Sequence, residues 1–194
     1  MKRNLPLTVP SPSGWIETVM NDFDAFLQDH ADAERKASGF AMSMVAKYPD
    51  RTEIIPELIE TALEEMEHFQ AVYQVMEQRG LQLAHVIPKD IYMMQLMKMR
   101  RTGREEHFLD RLCIGSVVES RGAERFKLVA DALEDPEMKK FYKMLWTSEA
   151  KHGNVYVNMA LNYFPEEEVY ERLNWFNDRE GELITNLELR PALH

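Results

Sequence analysis

The chain of 194 residues has a single cysteine, Cys113, and no long apolar run. One cysteine excludes an internal disulfide and any metal site built from four thiolates. No apolar stretch approaches the ~20 residues that a membrane-spanning helix needs, so no membrane partner is expected. The segment Met1–Leu7 also lacks the apolar core and cleavage site of a signal peptide. The sequence therefore predicts a cytoplasmic protein.

Positive charge is also scarce in this sequence. The 23 lysines and arginines face 33 aspartates and glutamates, which gives a net charge of −10. Sequence-independent binding to nucleic acid depends on neutralising phosphates, so the overall balance argues against it. A local basic surface is still compatible with this balance. The densest positive run in the chain consists of Lys98, Arg100, Arg101 and Arg104.

What the sequence has in abundance is helical periodicity. Apolar residues recur at steps of three and four over residues 14–48, 52–79, 105–133 and 136–163, which predicts four core helices in a single domain spanning 1–194. Residues 1–13 form a proline-rich lead-in, and Thr52 is the predicted N-cap of the second helix. Residues 81–104 are too long for a tight turn and predict a crossover with a short helix. A further short amphipathic helix is expected over residues 166–180.

Each of the four apolar rows is interrupted by a polar residue of metal-binding type. The motif Glu-x-x-His occurs at Glu65/His68 and again at Glu149/His152, and each copy has a lone upstream glutamate, Glu34 or Glu119. Residues three apart on a helix project about 60° from one another, so each pair shares a face. Buried carboxylates without a counter-charge are costly. The alternative explanation for these polar residues is a buried hydrogen-bonded network that holds no metal.

Four carboxylates and two imidazoles are the ligand inventory of a carboxylate-bridged dimetal site in a four-helix bundle. The sequence thus predicts an all-α, ferritin-like four-helix bundle with a crossover connection and extra short helices. Ligands without thiolate suit iron or manganese better than structural zinc. In such a bundle, Glu34 and His68 would cap one metal, Glu119 and His152 would cap the other, and the two remaining glutamates, Glu65 and Glu149, would bridge them. His30, one turn before Glu34, is a candidate hydrogen-bond partner of a ligand.

Two glycines in the third apolar row flank Glu119 by about one turn on either side. Glycine within a helix costs about 1 kcal/mol relative to alanine, so Gly115 and Gly122 predict either open space or close helix packing. The sequence does not decide between a substrate cavity and a close helix contact.

Three segments carry a resemblance to a known family over roughly residues 31–164. The strings Ala62-Leu-Glu-Glu-Met-Glu-His-Phe69, Val117-Val-Glu-Ser-Arg-Gly-Ala-Glu-Arg-Phe126 and Phe141-Tyr-Lys-Met-Leu-Trp-Thr-Ser-Glu-Ala-Lys-His152 resemble the MiaE family. Its members are non-haem di-iron monooxygenases that hydroxylate 2-methylthio-N6-isopentenyladenosine in tRNA. The resemblance implies a catalytic ligand set that acts through two iron ions, namely Glu34, Glu65, His68, Glu119, Glu149 and His152.

The resemblance also implies what the enzyme works with. It implies dioxygen as a co-substrate, an external electron donor supplied by an electron-transfer partner, and a tRNA that carries a prenylated adenosine near the anticodon. Phosphate binding would fall to a basic surface, for which the run of Lys98, Arg100, Arg101 and Arg104 is the candidate. The alternative for that run is a solvated charged loop. The methionine-rich stretch 93–99 is either an apolar lining for the prenyl group or ordinary core.

Two other functions are compatible with the same scaffold. One is a ferritin-like di-iron oxidase that acts on a free small molecule, and the other is a ferroxidase or iron-handling protein. A peroxidase of the rubrerythrin type is disfavoured, because the single cysteine cannot supply the Cys-x-x-Cys pairs that hold its extra iron.

Overall fold

The computed structural model describes residues 6–194, which contain seven helices and no strand. In chain order they are α1 Gly14–Asn21, α2 Phe23–Lys47, α3 Ile55–Gln78, α4 Ile91–Lys98, α5 Arg104–Ala132, α6 Pro136–Leu161 and α7 Glu166–Asn186. The prediction of an all-α chain is confirmed. No helix among these residues is long and apolar enough to cross a bilayer. Of the predicted lead-in, residues 1–5 lie outside the described part of the chain, and residues 6–13 contain no helix.

The helix boundaries differ from the predicted ones at three places. The segment 14–48 is two helices, because the Asp22 carboxylate accepts a hydrogen bond from the Ala25 amide at 3.1 Å and caps a new helix there. The second core helix begins at Ile55, with Ile54 and not Thr52 at the cap position. Pro56 in its first turn costs no hydrogen bond, since those amides have no partner within the helix. The last helix is longer than expected and ends at Asn186.

The described residues divide into two compact units. The α2–α3 unit comprises Glu17–Lys89 and Arg190–Leu193. The α5–α6 unit comprises the described residues up to Ile16, together with Asp90–Leu189 and His194. The single domain spanning 1–194 stays a prediction.

In the α2–α3 unit the two long helices pack antiparallel. The Ser38 hydroxyl donates to the Ala62 carbonyl at 2.8 Å, and Arg79 at the end of α3 binds Asp24 at the start of α2 at 2.6 Å. Residue numbers thus fall along one helix as they rise along the other. A fully buried apolar layer lies between them, formed by Leu27, Ala41, Met44, Leu58, Val72 and Met76. Burial of this layer is the main favourable term for the pair.

In the α5–α6 unit the helix α5 is central and contacts α6, α7 and α4. The α5–α6 pair is also antiparallel, since Gly115 meets Tyr156 near one end and Phe126 meets Tyr142 near the other. α5 is buried around most of its circumference, so its row of apolar residues is broader than the single seam that its periodicity suggests.

A buried ion pair and its hydrogen-bond partners join four parts of this unit, namely α4, α5, α7 and the segment before α1. Arg121 and Glu180 are both fully buried, and two guanidinium nitrogens donate to the two carboxylate oxygens at 2.8 Å each. The Tyr92 hydroxyl donates to the same carboxylate at 3.1 Å, and Arg121 also donates to the Val9 carbonyl at 2.7 Å. A buried charge is tolerated only with such complete pairing. The arginine therefore fixes the segment before α1 against α5 and α7.

Candidate metal centre

The α2–α3 unit brings together three of the predicted ligands. Glu34 comes from α2, and Glu65 and His68 come from α3; all three are buried. One donor atom of each lies within 4.8 Å of the others. The His68 Nδ1 lies 3.3 Å from a Glu65 oxygen and 3.7 Å from a Glu34 oxygen, so the imidazole is directed at both carboxylates. This triad has the donor types and spacing that a hard transition-metal ion accepts.

His30 lies beside this triad on α2. Its side chain is fully buried, and its Nε2 is 2.7 Å from Glu34 Oε1, whereas His68 approaches Oε2 of the same carboxylate. The two residues are one helical turn apart, which is the spacing that lets their side chains meet. His30 therefore fixes the orientation of Glu34 from the side away from His68, as the sequence suggested.

The α5–α6 unit brings together the other three. Glu119 comes from α5, and Glu149 and His152 come from α6; the latter two are each 2% exposed and Glu119 is 8% exposed. One donor atom of each lies within 4.8 Å of the others. The His152 Nδ1 lies 3.3 Å from Glu149 Oε2, which equals the separation in the first triad. The two Glu-x-x-His motifs thus have the same local geometry.

The glycines near Glu119 have different surroundings. A Cβ on Gly115 would stand 3.0 Å from the ring of Tyr156, so this glycine permits a close helix contact. Within residues 6–194, nothing lies within 4 Å of the position that a Cβ on Gly122 would take. Gly122 therefore leaves open space one turn after Glu119. The close helix contact is confirmed at Gly115, whereas a substrate cavity beside Gly122 stays a prediction.

Gly153 is a further close contact, one that the helical periodicity did not indicate. A Cβ there would stand 2.9 Å from the Ser120 hydroxyl and 3.3 Å from the Ser116 carbonyl, so α6 approaches the α5 backbone closely beside His152. The position of Gly153, immediately after a candidate ligand, was the signal available in the sequence. Tyr156, one turn further on, was likewise not recognised as the side chain that fills the space above Gly115.

The predicted basic run is partly committed to contacts within the protein. Arg101 donates to Asp110 through its amide at 2.7 Å and through its guanidinium at 2.8 Å, and Arg172 donates to the same carboxylate at 2.7 Å. Burial alone would raise the pKa of Asp110, but hydrogen bonds from Arg172 and Arg101 outweigh it and hold that pKa below its usual value. Arg101 therefore has a structural partner, whatever else it contacts.

The other members of the run differ in exposure. Arg100 donates to the Met97 carbonyl at 2.6 Å and lies 2.8 Å from His107. Arg104 is more than half exposed, 3.6 Å from Glu105. Lys98 is exposed and lines a surface cleft of about 300 Å³ with Met94 and Met99 of the methionine-rich stretch. Their predicted role in phosphate binding stays a prediction.

Comparison with known proteins gives the same family by a family model and by two relatives. The family described as tRNA-(MS[2]IO[6]A)-hydroxylase (MiaE) matches residues 2–194. A tRNA 2-(methylsulfanyl)-N(6)-isopentenyladenosine(37) hydroxylase from Pseudomonas putida is 32% identical over 97% of this chain and 91% of its own length. A protein of the same name from Salmonella typhimurium is 25% identical over 97% of this chain and 87% of its own length.

A solved structure is similar over nearly the whole chain. It is "Protein 43 with aldehyde deformylating oxygenase activity" from Synechococcus, with a TM-score of 0.91 and 30% identity, covering 97% of this chain and 94% of that one. The likeness confirms the predicted ferritin-like fold. Together with the buried clusters of glutamate and histidine, the fold indicates iron binding.

Proposed function

Because the chain belongs to the MiaE family, we propose that it is a monooxygenase that hydroxylates the isopentenyl group of 2-methylthio-N6-isopentenyladenosine in tRNA, near the anticodon. The match over residues 2–194 and the names of two relatives support this substrate. A tRNA substrate in turn implies action in the cytoplasm.

The observation that carries the proposal is the pair of matched triads. Each unit supplies two buried glutamates and one buried histidine whose donor atoms lie within 4.8 Å of one another. We propose that Glu34, Glu65 and His68 would hold one iron ion and that Glu119, Glu149 and His152 would hold another. This assignment follows the ligand pattern of carboxylate-bridged di-iron bundles. Reduced iron held there would supply activation of dioxygen, with electrons from an external donor.

The chain's own residues prepare the site for that chemistry. Burial of the six side chains excludes bulk water from the place where the metal ions would be held. The four carboxylates offset the charge of the metal ions. His30 holds one oxygen of Glu34, and among the described residues nothing lies within 4 Å of the position that a Cβ on Gly122 would take, one turn from Glu119.

A second candidate function follows from the similar solved structure. The Synechococcus protein is described by an aldehyde deformylating oxygenase activity. An aldehyde substrate would make this chain a ferritin-like oxygenase of a free small molecule. The family match and the tRNA hydroxylase names favour tRNA over an aldehyde.

One experiment separates the candidates. The protein is loaded with iron, the iron per chain is measured, and the reduced protein is exposed to isotopically labelled dioxygen with either tRNA carrying the prenylated adenosine or a long-chain aldehyde. We expect a nucleoside that has gained one labelled oxygen atom, detected by mass spectrometry, and no aldehyde turnover. Full iron loading with turnover of the aldehyde alone would reject the tRNA substrate and leave the metal site standing. Iron uptake and oxidation without either product would favour a ferroxidase.

A further inference from the structure

Beyond its first turn, which carries the exposed Glu137, the outer surface of α6 is basic in an acidic protein. Between Lys139 and Asn162 the only carboxylate is Glu149, which is 2% exposed and belongs to a candidate ligand triad. The same stretch has four lysines, of which Lys140, Lys143 and Lys151 are exposed. The surface of α6 beyond Lys139 therefore has positive charge and no exposed negative charge, although the chain as a whole is at −10.

An aromatic ring lies on this surface. Trp146 is half-buried on α6, and Lys127 of α5 places its ammonium group 5.5 Å from the centroid of the indole ring. A tryptophan with a cation against it is a common surface for stacking nucleobases, because the ring contacts the base and the cation lies near the phosphates.

Trp146 also borders a cavity of about 360 Å³. That volume falls within the range of small-molecule sites, roughly 300–1,000 Å³. The walls come from α5, α6 and the segment before α1, and they include Leu7, Pro10, Ser120, Ala123, Ala150 and Gly153. Most of these side chains are small or apolar, so the cavity suits a flat apolar group with a polar edge.

The single carboxylate in the cavity wall is already compensated. Glu124 accepts hydrogen bonds from the Ser11 amide at 2.8 Å, the Ser11 hydroxyl at 2.7 Å and Arg121 at 3.0 Å. These donors hold the carboxylate in place and reduce its repulsion of a nearby phosphate. Its fixed oxygens also remain hydrogen-bond acceptors for the amino group of a base.

The cavity lies at the level of the second ligand triad along both helices. Ser120, Ala150 and Gly153 each follow directly after a candidate ligand, namely Glu119, Glu149 and His152. Successive residues on a helix point about 100° apart, and a helix is about 10 Å across with its side chains. An occupant of the cavity would therefore lie within about one helix diameter of this triad.

We propose that the α6 surface is the RNA-docking surface of this protein, with Lys140 and Lys143 contacting phosphates and the cavity beside Trp146 taking a nucleobase. The inference rests on the proposed function, since it assumes that the substrate is presented on tRNA. The base in the cavity would be an unpaired neighbour of the modified adenosine, because a base within a helical stem could not turn into a pocket.

The lysines alone would also suit an acidic electron-carrier protein. The aromatic ring and the adjoining cavity favour RNA, because a protein partner that docks through charge has no need of a base-sized recess. Loss of carrier-dependent reduction in the lysine variant, with unchanged affinity for tRNA, would overturn the proposal in favour of the carrier.

The test measures affinity for tRNA that carries the prenylated adenosine, with the iron-loaded full-length protein, under nitrogen and without reductant so that no turnover occurs. Lys140→Gln with Lys143→Gln should raise Kd at least tenfold and lower the slope of log Kd against log salt by about 2, since one phosphate contact is lost per lysine. Trp146→Ala should raise Kd about tenfold without changing the slope, and Trp146→Phe should stay close to the wild type.

The matched control is Lys47→Gln with Lys89→Gln, which removes two exposed lysines of the α2–α3 unit and changes the net charge equally. Its Kd and slope should equal those of the wild type. Helical circular dichroism and iron per chain verify that each variant is folded. If the wild type hydroxylates tRNA but the α6 variants bind it as tightly as the control does, the docking surface is rejected and the enzyme function stands. A wild type that neither binds nor hydroxylates the tRNA rejects both.

Discussion

The two halves of the candidate ligand set, one triad in each unit, contain the same residue types and differ in the residues that surround them. In the α2–α3 unit the position one turn before the lone glutamate is His30, which contacts Glu34 at 2.7 Å. In the α5–α6 unit the equivalent position is Gly115, and the space is filled by Tyr156, whose counterpart four residues after His68 is Val72. One half thus has a hydrogen-bonding imidazole where the other has a packed aromatic ring.

This difference shows that the same pattern of candidate ligands can be held by different contacting residues. The Glu…Glu-x-x-His set recurs with the same 3.3 Å contact between glutamate and histidine in each motif, while the residues around the two sets differ. A polar neighbour tunes the charge and orientation of a ligand, whereas an aromatic ring fixes helix spacing. We therefore expect the two metal positions to differ in affinity and in tolerance to substitution.

The largest effect is expected when the lone glutamate of either half is replaced by alanine. Glu34→Ala and Glu119→Ala should each lower iron content to one ion per chain or less and reduce hydroxylation by more than about a hundredfold, beyond the effect of losing a supporting residue. Elemental analysis and circular dichroism measure metal and helix content, and the helices should persist. The exposed glutamate Glu67→Ala serves as the control and should behave as wild type. Two ions per chain in Glu119→Ala would show that this ligand is wrongly assigned.

An intermediate effect is expected at His30, where the halves differ. His30→Ala should weaken iron binding about 10- to 100-fold, because Glu34 loses the group that orients it. His30→Gln should recover part of that loss, since an amide can still donate to the carboxylate. Competition with a chelator measures the affinity, and His85→Ala, an exposed histidine in the connection after α3, is the control. Equal affinities for His30→Ala and wild type would mean that the two halves are functionally alike.

The smallest expected effect is on stability, and it comes from replacing one glycine in each helix pair by alanine. Gly115→Ala forces a Cβ to 3.0 Å from the fully buried Tyr156 ring, so we expect a net loss of about 1 kcal/mol in the free energy of unfolding, after the gain in helix propensity. Gly39→Ala in α2 meets nothing within 4 Å among the described residues and should gain about 0.5–1 kcal/mol. Urea unfolding measures both. A gain in the free energy of unfolding for Gly115→Ala would show that the Tyr156 ring moves aside at little cost and that the α5–α6 contact is less tightly packed than the 3.0 Å distance implies.

The sequence was sufficient to single out the six side chains that the structure groups into two buried triads, because charged residues within apolar rows are rare and recur here at matched spacing. That these side chains bind metal stays a prediction. It was insufficient for the glycines, since Gly115 and Gly122 look identical until the neighbouring helix supplies Tyr156 to one and nothing to the other. The basic run shows the same limit. Its charge is visible in the sequence, but the partner of Arg101 is a carboxylate nine residues away that folds back onto it. Contacts made across the fold, and not along one helix, account for what periodicity could not predict.

The anchoring of residues 8–11 has a consequence for the order in which the chain is completed during synthesis. The Thr8 amide binds Asn177, 169 residues later, and Ser11 binds Glu124, 113 residues later. At roughly 5–20 residues per second, about ten to thirty seconds pass between the synthesis of Thr8 and that of Asn177. The α2–α3 helices, whose mutual contacts are closer in sequence, have by then long been available to pair. Leu7, next to Thr8, is therefore late to settle, and this part of the wall of the cavity beside Trp146 is fixed only after Asn177 has been made.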